Sequence, residues 1–153
     1  MNSQQHHLER DATHAEAAPQ PASGRNRQQR DLARAFDHVK LVAQEEEKVR
    51  KIYGSLCHAF PVLVRTNGLC QTLAFFHEKK SAENERGKAY QHFWRHVAET
   101  LGERDETLLD RVRRMSSVEY MRASRRLVEA WLFYKRFAVS VLGVQAGEGK
   151  DQE

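Results

Sequence analysis

Residues 60 to 76, FPVLVRTNGLCQTLAFF, form the longest mostly apolar run in a chain of which 30% is charged. Such a run is the natural centre of a hydrophobic core. Pro61 suits the first turn of a helix, because deeper inside one it would lose a backbone hydrogen bond and clash with the carbonyl of Cys57. We therefore predict that a helix begins near Pro61 and continues to Phe76.

The dipeptide Asn67-Gly68 inside this run leaves a second interpretation open. It suits the positive φ angles of a tight hairpin turn. The flanking residues do not alternate apolar with polar, however, so the sequence favours a helix over two strands. A glycine inside a helix lowers the stability of the helix by about 1 kcal/mol relative to Ala. A close approach of another backbone or a ligand to Gly68 would explain why a glycine occupies this position.

Outward from this run, apolar residues recur at helical spacing on both sides. A first helix is expected from Arg27 or Gln28, and a second periodic segment runs from Val49 into the central run, joined to the first by a loop near residues 44 to 47 or continuous with it as one bent helix. Downstream we expect an aromatic helix that Gly102 ends and a helix of about three turns around residues 108 to 115. A last helix is expected from Ser116, which has the capping-box spacing to Glu119, to Gly143.

No strand or repeat is evident, so the sequence predicts an all-α fold, a compact bundle of five or six helices. The aromatic residues that we expect to fill its core include Phe36, Phe60, Phe75, Phe76, Phe93, Trp94 and Trp131. We expect a polar disordered tail over residues 1 to 26, the helical bundle domain over 27 to 143 and a second disordered tail over 144 to 153. A membrane span and a secretory signal are not expected, which favours the cytoplasm.

Basic residues are in excess within the predicted domain. Positions 27 to 146 hold 22 Lys and Arg against 15 Asp and Glu, a net charge of +7. Arg122, Arg125 and Arg126 share one face of the last helix at spacings of three and four residues. Arg113 and Arg114 precede them on a neighbouring helix, and Arg65 is the lone cation of the central run. Guanidinium groups in a row suit phosphate oxygens, whereas the alternative is ordinary solvated faces that pair with nearby carboxylates.

Candidates for catalysis or metal binding are weak. His92 and His96 are four residues apart, as two metal ligands on one helix would be, but no Glu follows His92 and no third ligand is indicated. The sequence has no Gly-rich phosphate loop. We therefore predict no catalytic residue, no metal site and no cofactor.

Several segments resemble the small α-helical subunit of the type III-B CRISPR effector, the Cmr complex. The most specific is residues 65 to 75, RTNGLCQTLAF, preceded by Pro61 and by residues 53 to 56, YGSL. Gln29-Arg30 with Ala33 and Ala35 near the start is similar too. So are residues 117 to 120, SVEY, then Ala123, Trp131 and residues 135 to 138, KRFA. The resemblance covers residues 27 to 142.

This resemblance implies a non-catalytic building block. Its expected partners are other Cmr effector subunits, guide RNA, target RNA and further copies of itself that stack into a filament. It implies sequence-independent contacts to RNA phosphates, for which the candidates are Arg65, Arg113, Arg114, Arg122, Arg125 and Arg126. Pro61, Asn67, Gly68 and Gln71 of the central run are expected to serve structure or assembly. The alternative is a helical bundle that docks on acidic protein partners without nucleic acid.

Overall fold

The computed structural model describes residues 24 to 148, and over that range the chain forms helices and no strand. The six helices are α1 (Arg27–Val42), α2 (Glu47–Asn67), α3 (Leu69–Lys79), α4 (Glu85–Thr100), α5 (Leu108–Arg114) and α6 (Ser117–Ser140). The prediction of an all-α bundle of five or six helices is confirmed. Residues 1 to 23 and 149 to 153, which make up most of the first predicted tail and half of the second, lie outside the described residues.

The central helix of the bundle is α2. It packs against α6 and α4 and also contacts α3 and α1. The α2–α6 pair is antiparallel, because Gly54 lies against Val144 and Gly68 lies against Tyr120. By contrast, α1 and α6 run parallel, since Asp31 binds Arg126 and His38 binds Tyr134. This parallel pair forms the face on which the candidate site lies.

An aromatic cluster around Phe60 fills the core. The centroid of its ring lies 5.8 Å from that of Phe76, 5.1 Å from Phe93 and 4.9 Å from Trp131. These partners belong to α3, α4 and α6, so one α2 side chain links four helices. Tilted and edge-on ring pairs at such distances add to the burial of apolar surface. Two aromatic side chains that we expected in the core, Phe36 and Phe75, are instead exposed.

Pro61 does not begin a helix, and that prediction is wrong. The helix α2 starts fourteen residues earlier, at Glu47, and continues through Pro61. A proline inside a helix costs about 3 kcal/mol because a backbone hydrogen bond is lost. Here the neighbouring turns bury Cys57, Phe60 and Val64, and this packing offsets the local cost.

The central run is also not one helix, because it breaks at Gly68. There α2 ends at Asn67 and α3 begins at Leu69, with Gly68 at φ 83° and ψ 159°. Only glycine adopts this conformation readily. The hairpin interpretation is wrong too, since helices flank Gly68 on both sides. A group does approach Gly68 closely, but it is a side chain and not the backbone or ligand that we expected: a Cβ there would lie 3.2 Å from the Tyr120 hydroxyl oxygen.

Side chains cap the two helices that form the site. The Asn26 side chain accepts a hydrogen bond from the Gln29 N–H, and the Gln29 side chain accepts one from the Asn26 N–H, a capping box that begins α1. The Ser116 hydroxyl accepts a hydrogen bond from the Glu119 N–H and begins α6 where the spacing predicted. The helix α5 is shorter than expected, with seven residues.

Val144 lies one residue beyond the predicted domain boundary and is buried. Its Cβ occupies the place where a side chain on Gly54 would be, since a Cβ at position 54 would meet it at 2.6 Å. The chain after α6 therefore folds back against α2. No helix among residues 24 to 148 has the length and apolar character to cross a membrane.

Candidate nucleic-acid interface

Arg122 and Arg125 project from the outer face of α6. The opposite face of the helix is apolar, with Ala123, Leu127 and Trp131 buried in the core, and this fixes the rotation of α6. Both arginine side chains are exposed. Neither forms a salt bridge to any carboxylate within residues 24 to 148. Their guanidinium groups are free to bind an external anion.

Arg126 differs from the other predicted arginines because it holds a buried partner. Its Nη1 and Nη2 atoms donate to the two carboxylate oxygens of Asp31, at 2.6 and 2.5 Å. The side chain of Arg126 is 16% exposed and that of Asp31 is 4% exposed. A bidentate pair of this kind fixes the geometry of both partners. Arg126 therefore joins α1 to α6, and its guanidinium group already has an anionic partner.

Arg113 and Arg114 lie at the end of α5 and share one carboxylate. They approach the two oxygens of Asp110 at 2.7 and 3.1 Å, and both arginine side chains are 70% exposed. The pKa of Asp110 lies below its ordinary value, mainly because Arg113 donates a hydrogen bond to it. Two cations share one anion here, so the group keeps a positive charge that faces solvent.

Arg65 stands apart from the α6 arginines. It lies exposed in the last turn of α2 and pairs with no carboxylate in the described part of the chain. The nearby contact to α6 is made by Tyr120, whose hydroxyl oxygen accepts a hydrogen bond from the Cys70 N–H at 3.0 Å. Residues two apart on a helix do not share a face, so Tyr120 and Arg122 point in different directions.

The structure adds cations to those that the sequence singled out as RNA contacts. Arg27, the first residue of α1, and Arg111 of α5 line one groove with the α6 arginines, with a volume of about 640 Å³. Arg27 also lines a second groove of about 560 Å³, together with Lys135 and Arg136. The parallel packing of α1 on α6 brings Arg27 to the α6 cations across about one hundred positions of sequence, and helical periodicity cannot predict such a contact.

Arg111 is held by two carboxylates. Its Nη2 donates to Glu119 at 2.8 Å and its Nε lies 3.4 Å from Glu103. This network connects the turn after α4 to the start of α6. Arg111 therefore has carboxylate partners within the fold, as Arg126 does, but its side chain is 43% exposed where that of Arg126 is 16% exposed.

The two histidines considered as metal ligands have other partners. His92 Nε2 lies 3.0 Å from a carboxylate oxygen of Glu45, whose pKa is lowered mainly by this hydrogen bond. His96 Nδ1 lies 2.6 Å from the Tyr53 hydroxyl. Within residues 24 to 148 no group of three or more His, Cys, Asp or Glu side chains is arranged to hold a metal ion.

Comparisons with known proteins identify relatives of this fold. Residues 27–141 match the family model described as CRISPR-associated protein (Cas_Cmr5). The chain is 32% identical over 120 residues to the CRISPR system Cmr subunit Cmr5 of Thermus thermophilus, and the match covers 77% of this chain and 97% of the relative. A crystal structure of a CRISPR-associated Cmr5 family protein from the same organism matches with a TM-score of 0.65 and 31% identity, covering 76% of this chain and 97% of the other.

Proposed function

The chain belongs to the Cmr5 family of CRISPR-associated proteins, and we propose that it is the non-catalytic small subunit of a type III-B (Cmr) ribonucleoprotein effector in cytoplasmic antiviral defence. In this role copies of the chain stack along the subunits that carry the guide RNA and help to hold guide and target RNA. Base pairing would supply sequence specificity, while the protein supplies shape and phosphate contacts. The family match over residues 27–141 supports membership of the complex.

One observation carries the RNA part of the proposal. Within a group of neighbouring arginines, Arg111 and Arg126 have carboxylate partners while Arg122 and Arg125 are exposed and have none in the described residues. Unpaired guanidinium groups on a chain of net positive charge attract a polyanion. Contacts of this kind bind any RNA backbone and do not read its bases.

Arg113, Arg114 and Arg65 provide further contacts in this proposal. The pairs of Arg113 and Arg114 with Asp110 lie in solvent, where salt bridges contribute little, about 1 kcal/mol or less. A phosphate group can therefore replace Asp110 as a partner at small cost. Arg65, on a different face, would contact another part of the assembly.

The test reverses the charge of the two unpaired arginines. We expect Arg122→Glu with Arg125→Glu to weaken target-RNA binding by an effector particle carrying the variant by roughly tenfold or more at low salt, since two attractions become repulsions. The fold should stay intact because both side chains lie in solvent. Equilibrium binding of labelled RNA and thermal unfolding are the measurements.

A matched control changes the total charge equally at other sites. Arg104→Glu with Lys51→Glu alters two exposed cations outside the grooves. This control should bind RNA nearly as the unmodified particle does. Equal binding by the Arg122/Arg125 variant and the unmodified particle would contradict the assignment.

A third groove favours a second candidate function, docking of a protein partner. It has a volume of about 470 Å³ and is lined by Leu32, Ala33, Phe36 and Phe137, with Arg25 at its edge. The Phe36 ring packs against Phe137 at 5.3 Å and lies under the Lys40 ammonium at 5.1 Å. An apolar surface with cations around it suits an acidic protein segment. This function is favoured if the chain binds acidic proteins but no RNA and Phe36→Ser abolishes that binding.

A further inference from the structure

Three charged residues recur at seven-residue spacing along the outer face of α6. Arg122, Glu129 and Arg136 are all exposed, and residues seven apart on a helix share one face. With a rise of 1.5 Å per residue, Arg122 and Arg136 lie about 21 Å apart along the axis, with Glu129 at the midpoint. An acidic side chain thus interrupts a basic stripe.

The two grooves beside this stripe share a boundary. Arg27 and Glu129 line both, whereas Arg122 and Arg125 line only the first, and Lys135 and Arg136 only the second. The grooves therefore follow one another along α6. The end of α4 and α5 line the other side of the first groove, the start of α1 lines that of the second, and Arg27 belongs to both. Glu129 stands where they meet.

The pairing of charges leaves both grooves positive. Arg111 is bound by Glu103 and Glu119, and Arg126 by Asp31. Five remaining cations of the grooves form no salt bridge within residues 24 to 148: Arg27, Arg122, Arg125, Lys135 and Arg136. In the same range Glu129 has no salt-bridge partner either. Among the described residues it is the one carboxylate lining the grooves that takes part in no salt bridge, so its charge faces whatever occupies them.

We propose that the two grooves form one track for the sugar-phosphate backbone of RNA and that Glu129 divides it into two phosphate-binding subsites. The inference rests on the proposed function. Phosphate groups bind at Arg122 and Arg125 on one side and at Lys135 and Arg136 on the other, with Arg27 serving both. Glu129 repels a phosphate at the junction. It therefore fixes where phosphates sit along α6 and lowers the affinity of the track.

Glu129 makes no contact in the described part of the fold that would explain why an acidic residue stands between the cations of α6. Its side chain is exposed and unpaired among the described residues, and the buried positions around it, Leu127, Ala130 and Trp131, hold α6 without it. A neutral substitute at position 129 should preserve the fold. Removal of its charge should then act on RNA binding alone.

The test is a gain of affinity from the loss of one charge. We expect Glu129→Gln to tighten binding of a fluorescein-labelled RNA of arbitrary sequence to the effector particle about threefold or more at low salt, measured by fluorescence anisotropy. The gain should shrink as added salt screens the exposed charges. Glu106→Gln is the matched control, because Glu106 is exposed, unpaired in residues 24 to 148 and outside both grooves. It should change affinity little.

A second variant tests the far subsite. Arg136→Gln should weaken binding and reduce the slope of log affinity against log salt by about 1, as expected for the loss of one phosphate contact. The inference is overturned if Glu129→Gln behaves like Glu106→Gln, or if Arg136→Gln leaves affinity and salt slope unchanged. If either occurs while the particle still carries RNA, only the track is wrong. A particle without RNA would overturn the proposed function as well.

Discussion

Gly68 shows how one residue sets the path of the chain. It separates α2 from α3 in a conformation that other residues rarely adopt. The Tyr120 hydroxyl of α6 lies against Gly68 and accepts a hydrogen bond from the backbone N–H of Cys70, two residues further along the chain. A side chain at position 68 would therefore strain the backbone and also crowd the Tyr120 hydroxyl.

We predict that Gly68→Ala lowers the free energy of unfolding by about 1–3 kcal/mol, the usual range for a residue forced into a sparsely populated backbone region. Urea denaturation measures it. Gly102→Ala is the control, since Gly102 also has a positive φ of 73° but nothing lies within 4 Å of the position of its Cβ. Equal destabilisation by the two variants would show that the Tyr120 contact adds nothing.

The arginines show what sequence can and cannot reveal at the scale of residues. Spacing correctly placed Arg122 and Arg125 on one exposed face. It could not separate them from Arg126, because the partner of Arg126, Asp31, lies 95 positions away. For the same reason Arg27 and Arg136 were not recognised. Salt bridges between residues distant in sequence decide which cations remain unpaired, and helical periodicity cannot predict these salt bridges.

At the scale of elements, most helices follow from apolar periodicity and from caps. The Ser116 cap and the start of α1 lie where the sequence placed them. The central run was misjudged because local rules for Pro61 and Gly68 were applied without tertiary packing. The buried side chains on both sides of Pro61 stabilise α2 beyond the proline. At Gly68, where the helix ends, Tyr120 of α6 packs against the chain.

The interface of α1 with α4 holds a pair of stacked histidines. The rings of His38 and His96 are nearly parallel, with centroids 3.9 Å apart. His38 binds Tyr134 at 2.6 Å and Glu99 at 2.5 Å. Burial lowers the pKa of His38, although the Glu99 hydrogen bond opposes this, and burial together with the neighbouring His38 holds the pKa of His96 well below its ordinary value.

We therefore predict that acid destabilises the fold at this interface. A histidine whose pKa is lower in the folded state favours the unfolded state once the pH falls below about 6.5, where the unfolded chain takes up protons first. The loss is at most about 1.4 kcal/mol per pH unit for each histidine. Thermal unfolding should show a lower Tm at pH 5.5 than at pH 7.5.

The role of the pair is tested by the pH dependence of two variants. His96→Gln should flatten the fall in Tm between these pH values, whatever its effect at pH 7.5. His77→Gln, at an exposed position, should leave the fall unchanged. A wild-type Tm that stays constant between pH 7.5 and 5.5 would show that the stacked histidines do not control acid stability.

At the scale of the whole molecule, the bundle combines an aromatic core with two grooves lined by cations. The core links α2, α3, α4 and α6 through Phe60, while α6 forms one side of both grooves. This arrangement suits a scaffold that holds an RNA backbone and is itself held by neighbours. The fold class could be predicted from the sequence because helical periodicity is a local property, and the family could be predicted from the resemblance of the central run. The grooves could not, because they form only where α6 packs beside α1 and the α4–α5 region.

The most direct test of this account is recovery of the tagged chain from its own host, followed by identification of the associated proteins and extraction of nucleic acid. The account predicts a particle that contains other Cmr subunits, more than one copy of this chain and short guide RNAs. Recovery of a free monomer, or of acidic proteins without RNA, would contradict it.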